Sequence, residues 1–295
     1  MSARCCLPLV LLTALPLALP AQTKLHDQIV SIAAQAHGQV AVSCVVPGKA
    51  LQCGLNPSEL LPMMSVYKLP IAVAVLHAVE VGHLSLSQTL HFVPPALIAP
   101  TGYSPLRNQH PHGDADDTVE ELLRRSIVDS DNVASDVLLR AIGGPAAAEN
   151  YLGSITLYGI HIRDYEGDQD RNLKLLYRNV GEAHSLVALL YRLTGPSPLN
   201  PAHTRLLLGW MTASHTGDQR LGALLPPGTV VAGKTGTAGQ NRTTLNVTND
   251  IGLITLPGGR RLAVAVLIAD STQPYAVRQR VIAEIARAIY NAAVR

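Results

Sequence analysis

Ser65 and Lys68 stand three residues apart in Ser65-Val66-Tyr67-Lys68, where an apolar run begins. On a helix that spacing puts both on one face, about one turn apart. A serine hydroxyl is a weak nucleophile until a neighbouring base takes its proton, and a partly desolvated lysine can be that base. Lysine is scarce here: of 23 Lys and Arg residues only those at 24, 49, 68, 174 and 234 are lysine. Arginine cannot give up its proton at ordinary pH, so a rare lysine at an apolar helix start suits work that needs deprotonation. Two more clusters carry chemistry. Ser130-Asp131-Asn132 follows the apolar-periodic positions Leu122, Leu123, Ile127 and Val128 and reads equally as an N-cap or turn. Lys234-Thr235-Gly236-Thr237 follows Thr229-Val230-Val231-Ala232-Gly233, and a strand offering a cation, a hydroxyl and then glycine can bring its edge close to a ligand. Taken singly, each cluster has an ordinary structural explanation.

Positioning these groups requires elements that the hydrophobic pattern supplies. Ser65 precedes an expected helix over 66–79, whose Pro70 falls where first-turn N–H groups lack partners anyway. That helix start favours negative charge developing near Ser65. Helices are also expected at 24–36, 133–141 and 275–293, and strands at 39–46, 50–53, 229–234, 250–256 and 261–269. An isolated two-stranded hairpin is marginal in water, so the early and late strands must share a sheet. The expected class is α/β in the α+β sense. Residues of about 22–64 and 213–295 form an α/β half, and about 65–212 form an all-helical half, with a cleft between them as the natural ligand site.

At 295 residues with 47% apolar and 15% charged side chains, the chain can bury a sizeable core, which excludes disorder. A formal charge of +2 without a basic run, and aromatics at 4%, exclude a nucleic-acid partner. Residues 1–21 combine Arg4, an apolar stretch from Leu7 to Leu19 interrupted by Pro16, and small Ala21. That is the layout of a cleaved secretory signal peptide, so the mature chain is expected to be exported and free of the membrane. Cys44 and Cys53 remain after cleavage, flanking Val46-Pro47-Gly48-Lys49. A hairpin turning on Gly48-Lys49 sets them directly opposite, whereas one centred on Pro47-Gly48 sets them a diagonal step apart. A disulfide and two buried thiols are both compatible with this spacing.

The joint occurrence of Ser65-x-x-Lys68, Ser130-Asp131-Asn132 and Lys234-Thr235-Gly236, in that order, resembles the penicillin-recognising serine enzymes, the active-site serine β-lactamases and penicillin-binding proteins. The resemblance spans the mature chain and implies that family's fold, a five-stranded antiparallel sheet flanked by the terminal helices beside an all-helical subdomain. Glu166, in Asp164-Tyr165-Glu166-Gly167-Asp168-Gln169-Asp170, lies 34 residues past Asn132, where class A β-lactamases keep the glutamate that activates the hydrolytic water. Leu176-Tyr177-Arg178-Asn179 is similar to the extended-spectrum, PER-like branch with an enlarged loop. The resemblance implies a serine hydrolase of cyclic amides with Ser65 as nucleophile, Lys68 as its base, alone or with Glu166, and Ser130 as proton donor to the leaving nitrogen. It further implies that Asn132 binds the substrate's side-chain amide, that Lys234, Thr235 and Thr237 hold its carboxylate, and that Gly236 leaves room beside it. Arg220 would reinforce the carboxylate site, Tyr103 would form an aromatic wall, and the N–H groups of Ser65 and Thr237 would form an oxyanion hole. The family commonly has asparagine where this chain has Asp170. An aspartate can still accept a hydrogen bond from the water, but as an anion it would raise the proton affinity of Glu166.

His110-x-His112-x-Asp114 resembles part of a metallohydrolase run, but Ala115 breaks it, so neither a metal nor a cofactor is expected. The rival readings are a peptidoglycan D,D-peptidase, which shares the three motifs, and a non-hydrolytic β-lactam sensor. No apolar stripe calls for an oligomer, and a monomer is expected.

Overall fold

The structure, a computed structural model, describes residues 20–239 and 246–295, with residues 20–23 described by their backbone alone. Helix α1 (Pro20–Ala34) leads into β1 (Gln39–Val45), and a short strand β2 (Leu60–Pro62) runs up to a 3-10 turn over Met64–Tyr67 that continues as α2 (Lys68–Glu80). The middle of the chain supplies β3 (Thr89–Phe92), α3 (Pro94–Leu97), α4 (Pro105–Gln109), β4 (Ala115–Thr118), α5 (Val119–Val128), α6 (Asn132–Ala141) and α7 (Pro145–Ser154). Next come β5 (Ile160–His161), α8 (Glu166–Arg171), a second 3-10 turn over Leu173–Tyr177, β6 (Val180–Glu182), α9 (Ala183–Arg192) and α10 (Pro201–Ala213). Strands β7 (Val231–Ala238), β8 (Val247–Thr255) and β9 (Arg261–Ala269) precede the terminal helix α11 (Tyr275–Val294).

The main sheet has the order β1-β9-β8-β7, antiparallel throughout. Its period of two sorts β9 cleanly. Val264, Val266 and Ile268 pack with Leu25, Ile29, Ile282 and Ile285 of α1 and α11, while Ala263, Ala265 and Leu267 join the core of the helical side. Alanines on that second face let α9 approach the sheet closely. Helix α2 is buried from Lys68 to Leu76, as expected of a central helix that is apolar all round. Edge strand β7 packs against the 3-10 turn that carries Ser65, so the cleft forms where sheet edge and helical half meet.

Three expectations need correction. The sheet has four strands, because residues 50–53 form none: they lie between two isolated bridges, Val46↔Lys49 and Val42↔Leu55. Six steps of chain from Lys49 to Leu55 oppose four on β1, so the surplus leaves the ladder as irregular backbone. The turn is centred on Pro47-Gly48, yet the Val42↔Leu55 register brings the cysteines together, and Cys44 and Cys53 form a disulfide with Cα atoms 6.0 Å apart. The helix expected over 66–79 begins instead as a 3-10 turn at Met64 and becomes α-helical only at Lys68. The middle region also carries two small sheets, β2-β6-β5 and β3-β4, alongside its helices.

Candidate active site

Ser65 is presented by a constrained turn. Met64, just before it, has φ +47°, a costly conformation for a residue with a side chain. The turn is held from three sides. Asn249 of β8 donates from Nδ2 to the carbonyls of Pro62 (2.8 Å) and Met63 (3.0 Å), and Met63 N–H donates to Asn179 O at 2.9 Å. On the third side Gly236 of β7 comes so close that a Cβ there would lie 2.2 Å from Met63 O. Only glycine allows the strand and the turn to touch.

The buried amine of Lys68 is surrounded by acceptors. Its Nζ lies 3.0 Å from Ser65 Oγ, 2.8 Å from Ser130 O, 2.5 Å from Asn132 Oδ1 and 3.1 Å from Glu166 Oε1. Ser130, at φ +58°, turns its carbonyl to Lys68 and its hydroxyl to Lys234 Nζ at 2.9 Å, so one strained residue bridges both buried lysines. Asp131 accepts from Ala134 N–H as the N-cap of α6, and also from Ser104 Oγ and Leu106 N–H at the start of α4. The Ser-Asp-Asn triplet thus combines an ordinary cap with site chemistry.

Glu166 is the first residue of α8, on a loop whose base Asn179 closes by accepting from Arg163 N–H and Asp164 N–H and donating to Asp164 O. The amides of Glu166 and Gly167 both donate to Asp136 of α6, at 2.8 and 3.0 Å. Burial raises the Asp136 carboxyl to about 7, with the Glu166 charge adding to the rise and the two amides and Arg140 opposing it. Asp170 is raised to about 6 by burial and then by Glu166, against Lys68, Arg171 and Arg107. Its Oδ2 is buried without a partner and rests where a Cβ on Gly102 would fall, 2.0 Å away. Burial, with the charges of Glu166 and Asp136, also pushes the Tyr67 phenol well up.

The opposite wall is cationic. Lys234 is fully buried, and burial, followed by Lys68, pushes its ammonium well below the usual lysine range. Thr235 Oγ1 donates to Thr216 Oγ1 at 2.8 Å. Arg220, also buried, donates to Asn249 O at 2.6 Å, to Gly236 O at 3.3 Å, to the Tyr275 hydroxyl at 2.7 Å, and to Thr237 Oγ1. Asp250, opposite Thr235 in register, accepts from Leu221 N–H and is raised to about 7 by burial in spite of Arg220 and Lys234. A cavity of about 370 Å³ lies beside Thr216, Thr235 and Asp250.

Ser65, Lys68, Ser130, Asn132, Glu166, Lys234, Thr235, Gly236, Thr237 and Arg220 therefore come together, with Asp170 beside them. Tyr103 is exposed and donates to Asp129 O at 3.1 Å, one residue before Ser130. The Cys44–Cys53 bridge belongs to the core under α1 and α11. Asp114 pairs with His91 at 3.5 Å, and among the described residues no group of three His, Cys, Asp or Glu side chains is disposed to hold a metal. Asp136, Thr216, Asn249 and Asp250 escaped the sequence reading. The legible signal was an acid on a mainly apolar helix or strand, as with Asp136 in Val133-Ala134-Ser135-Asp136-Val137-Leu138 and Asp250 in Thr248-Asn249-Asp250-Ile251-Gly252.

Comparison with known proteins adds an independent line. The profile of the beta-lactamase enzyme family matches residues 24–293. The chain is 35% identical to the extended-spectrum beta-lactamase PER-1 of Pseudomonas aeruginosa over 267 residues, 90% of this chain and 86% of that one. It is 32% identical to beta-lactamase VEB-1 of Pseudomonas aeruginosa over 78% of this chain and 77% of that one. Among solved structures, a beta-lactamase from Chitinophaga pinensis DSM 2588 superposes with a TM-score of 0.85 at 34% identity, covering 92% and 99% of the two chains. The TLA-1 extended-spectrum beta-lactamase superposes with a TM-score of 0.88 at 31% identity, covering 93% and 100%.

Proposed function

The chain belongs to the beta-lactamase enzyme family, as a serine enzyme of class A similar to its extended-spectrum members, and from that premise we propose how its residues divide the hydrolysis of the β-lactam amide. Ser65 Oγ attacks the carbonyl carbon while its proton passes to Lys68, directly or through a water shared with Glu166. The ring C–N bond breaks, the nitrogen takes a proton from Ser130, and an acyl-enzyme ester remains on Ser65. Glu166 then removes a proton from a water that attacks the ester, and Ser65 Oγ leaves with a proton returned to it. The N–H groups of Ser65 and Thr237 hold the developing oxyanion, roughly 2.7–4 kcal/mol per donor.

Binding is assigned to the other wall. Lys234, Thr235 and Thr237 take the ring carboxylate, Arg220 supports it through Thr237, and Gly236 keeps the strand close to the nucleophile. Asn132 takes the side-chain amide, Tyr103 borders the cleft, and Asp170 helps hold the water. A monomer of one catalytic domain with two halves, exported to the periplasm or medium, completes the reading. Residues 1–19 of the leader-like segment lie outside the described residues, and no helix among the described residues is long and apolar enough to cross a membrane.

The observation that carries this reading is Lys68 Nζ at 3.0 Å from Ser65 Oγ and 3.1 Å from Glu166 Oε1, one amine between nucleophile and acid. The test follows hydrolysis of a chromogenic cephalosporin in large excess beside intact mass. Many turnovers with a transient Ser65 ester are expected. A single burst with a persistent adduct would instead indicate a peptidase or sensor, and absence of any adduct would overturn the roles assigned to Ser65 and Lys68.

A further inference from the structure

Helix α8, which carries Glu166, is seated between two surfaces. One is Asp136 of α6, which takes the amides of Glu166 and Gly167. The other is the segment 96–102, the end of α3 and the loop after it, and there the fit leaves no room for side chains. A Cβ on Gly167 would lie 1.8 Å from Leu97 O, and one on Gly102 would lie 2.0 Å from Asp170 Oδ2. Arg171 donates to Ala96 O and to Gly167 O, both at 3.0 Å, and so bridges the two pieces. Residues 98–102 belong to no helix or strand, so this bed needs a support of its own. Arg107 of α4 supplies it. Its Nη1 donates to Ala99 O at 2.9 Å and to Pro100 O at 3.1 Å, and its Nη2 donates to Gly102 O at 2.8 Å. A planar guanidinium holds its donors in a fixed fork, so three carbonyls on one fork keep the loop in one shape. The fork is itself anchored to the Ser-Asp-Asn triplet: Arg107 N–H donates to Ser104 Oγ at 3.0 Å, and Ser104 Oγ donates to Asp131 at 2.8 Å.

We propose that Arg107 is a positioning residue for deacylation: by fixing the carbonyls of Ala99, Pro100 and Gly102 it holds the bed on which α8 sets the Glu166 carboxylate. This rests on the role of Glu166 proposed above. Glu166 has to meet a water and the ester together, and a displacement of about 1 Å in such a group can cost about 10²-fold in rate. Acylation is less exposed to the bed, because Lys68 Nζ lies 3.0 Å from Ser65 Oγ and gives a path that does not pass through Glu166. Burial raises the Asp170 carboxyl, and Arg107 is one of the cations that oppose the rise, so its charge reaches the same helix. An arginine that merely stapled a surface loop would change stability without separating the two chemical steps.

The test measures acylation and deacylation separately with a chromogenic cephalosporin, by stopped-flow burst and by intact mass of the Ser65 ester. It uses the four proteins of a double-mutant cycle: parent, Arg107→Gln, Glu166→Gln and the two together. Arg107→Gln should slow deacylation about tenfold and leave acylation within about twofold, so that the ester becomes visible in the mass spectrum. Added to Glu166→Gln, it should slow deacylation by no more than about twofold, because the group it positions is already lost. Arg107→Lys, which keeps the charge without the fork, should slow deacylation about threefold. Equal slowing of the two steps, an unchanged deacylation rate, or a full tenfold loss on top of Glu166→Gln would overturn the proposal. If Arg107→Gln does not fold, Arg171→Gln decides, since it removes the bond to Ala96 O: deacylation about threefold slower supports the bed, and a rate equal to the parent's overturns it. A Glu166→Gln variant that deacylates like the parent would overturn the reading of Glu166 and this inference with it, whereas the outcomes above overturn the inference alone.

Discussion

The two walls of the cleft are charged in opposite senses and relieve their excess in opposite ways. Helices α6 and α8 gather Asp136, Glu166 and Asp170 around the buried cation Lys68, with Arg140 and Arg171 at the margin. There crowding is relieved by protons: Asp136 is raised to about 7 and Asp170 to about 6. On the other side, β7, Arg220 and α11 gather Lys234, Arg220 and Arg278 around the single carboxyl Asp250, which burial itself holds at about 7. There the crowding weakens the hold of Lys234 on its proton, and a bound anion would relieve the remaining charge. On the proposed mechanism, the acidic wall is where water is activated and the cationic wall is where the substrate is held.

The largest effect should come from the acidic wall. Glu166→Gln is expected to lower turnover by about 10³-fold while a Ser65 ester accumulates in intact mass, within the usual range for loss of a general base. Turnover equal to the parent would remove Glu166 from deacylation. Next comes the acid of the cationic wall. The Asp250 carboxyl is raised from 3.8 to about 7 in the fold, so the folded state holds the proton more tightly. Its contribution to stability is greatest below about pH 4 and is lost as pH rises to about 7, on the order of 4 kcal/mol. Asp250→Asn should flatten the fall in stability across that window in urea titrations; an unchanged pH dependence would show that Asp250 is not the titrating group. Lys234→Ala should cost about 10²-fold in kcat/KM, mostly through KM. A loss confined to kcat would blur the division between the walls. The smallest expected change is for Thr216→Val, which removes the acceptor of the Thr235 hydroxyl and should raise KM about threefold with kcat nearly constant.

The groups that converge at the site were legible because residue type and short spacing mark them: Ser65 with Lys68, Ser130 with Asn132, Lys234 with Thr235. The strands β8 and β9 were legible from their apolar character, and α11 from its period. What stayed hidden depends on approach between distant segments. Asp136 matters because α8 lays two amides on it, and Asn249 because the chain before Ser65 passes over it; no local pattern encodes either meeting. The start of α2 was misread because the positive φ at Met64 is imposed by tertiary contact rather than by propensity. The fifth strand failed for a local reason, the surplus of chain between Lys49 and Leu55, which alternation of residues does not reveal.

The bare backbone of Gly236 against Met63 O ties two functions into one mechanical part. Strand β7, to which substrate binding is assigned, and the turn that carries Ser65 cannot drift separately, so a change that repositions β7 must move Ser65 with it. Adaptation to new antibiotics has little freedom at this joint. Variation is expected instead at the exposed border around Tyr103 and in the loop between Glu166 and Asn179, where the contour of the pocket can change while the reacting atoms keep their spacing.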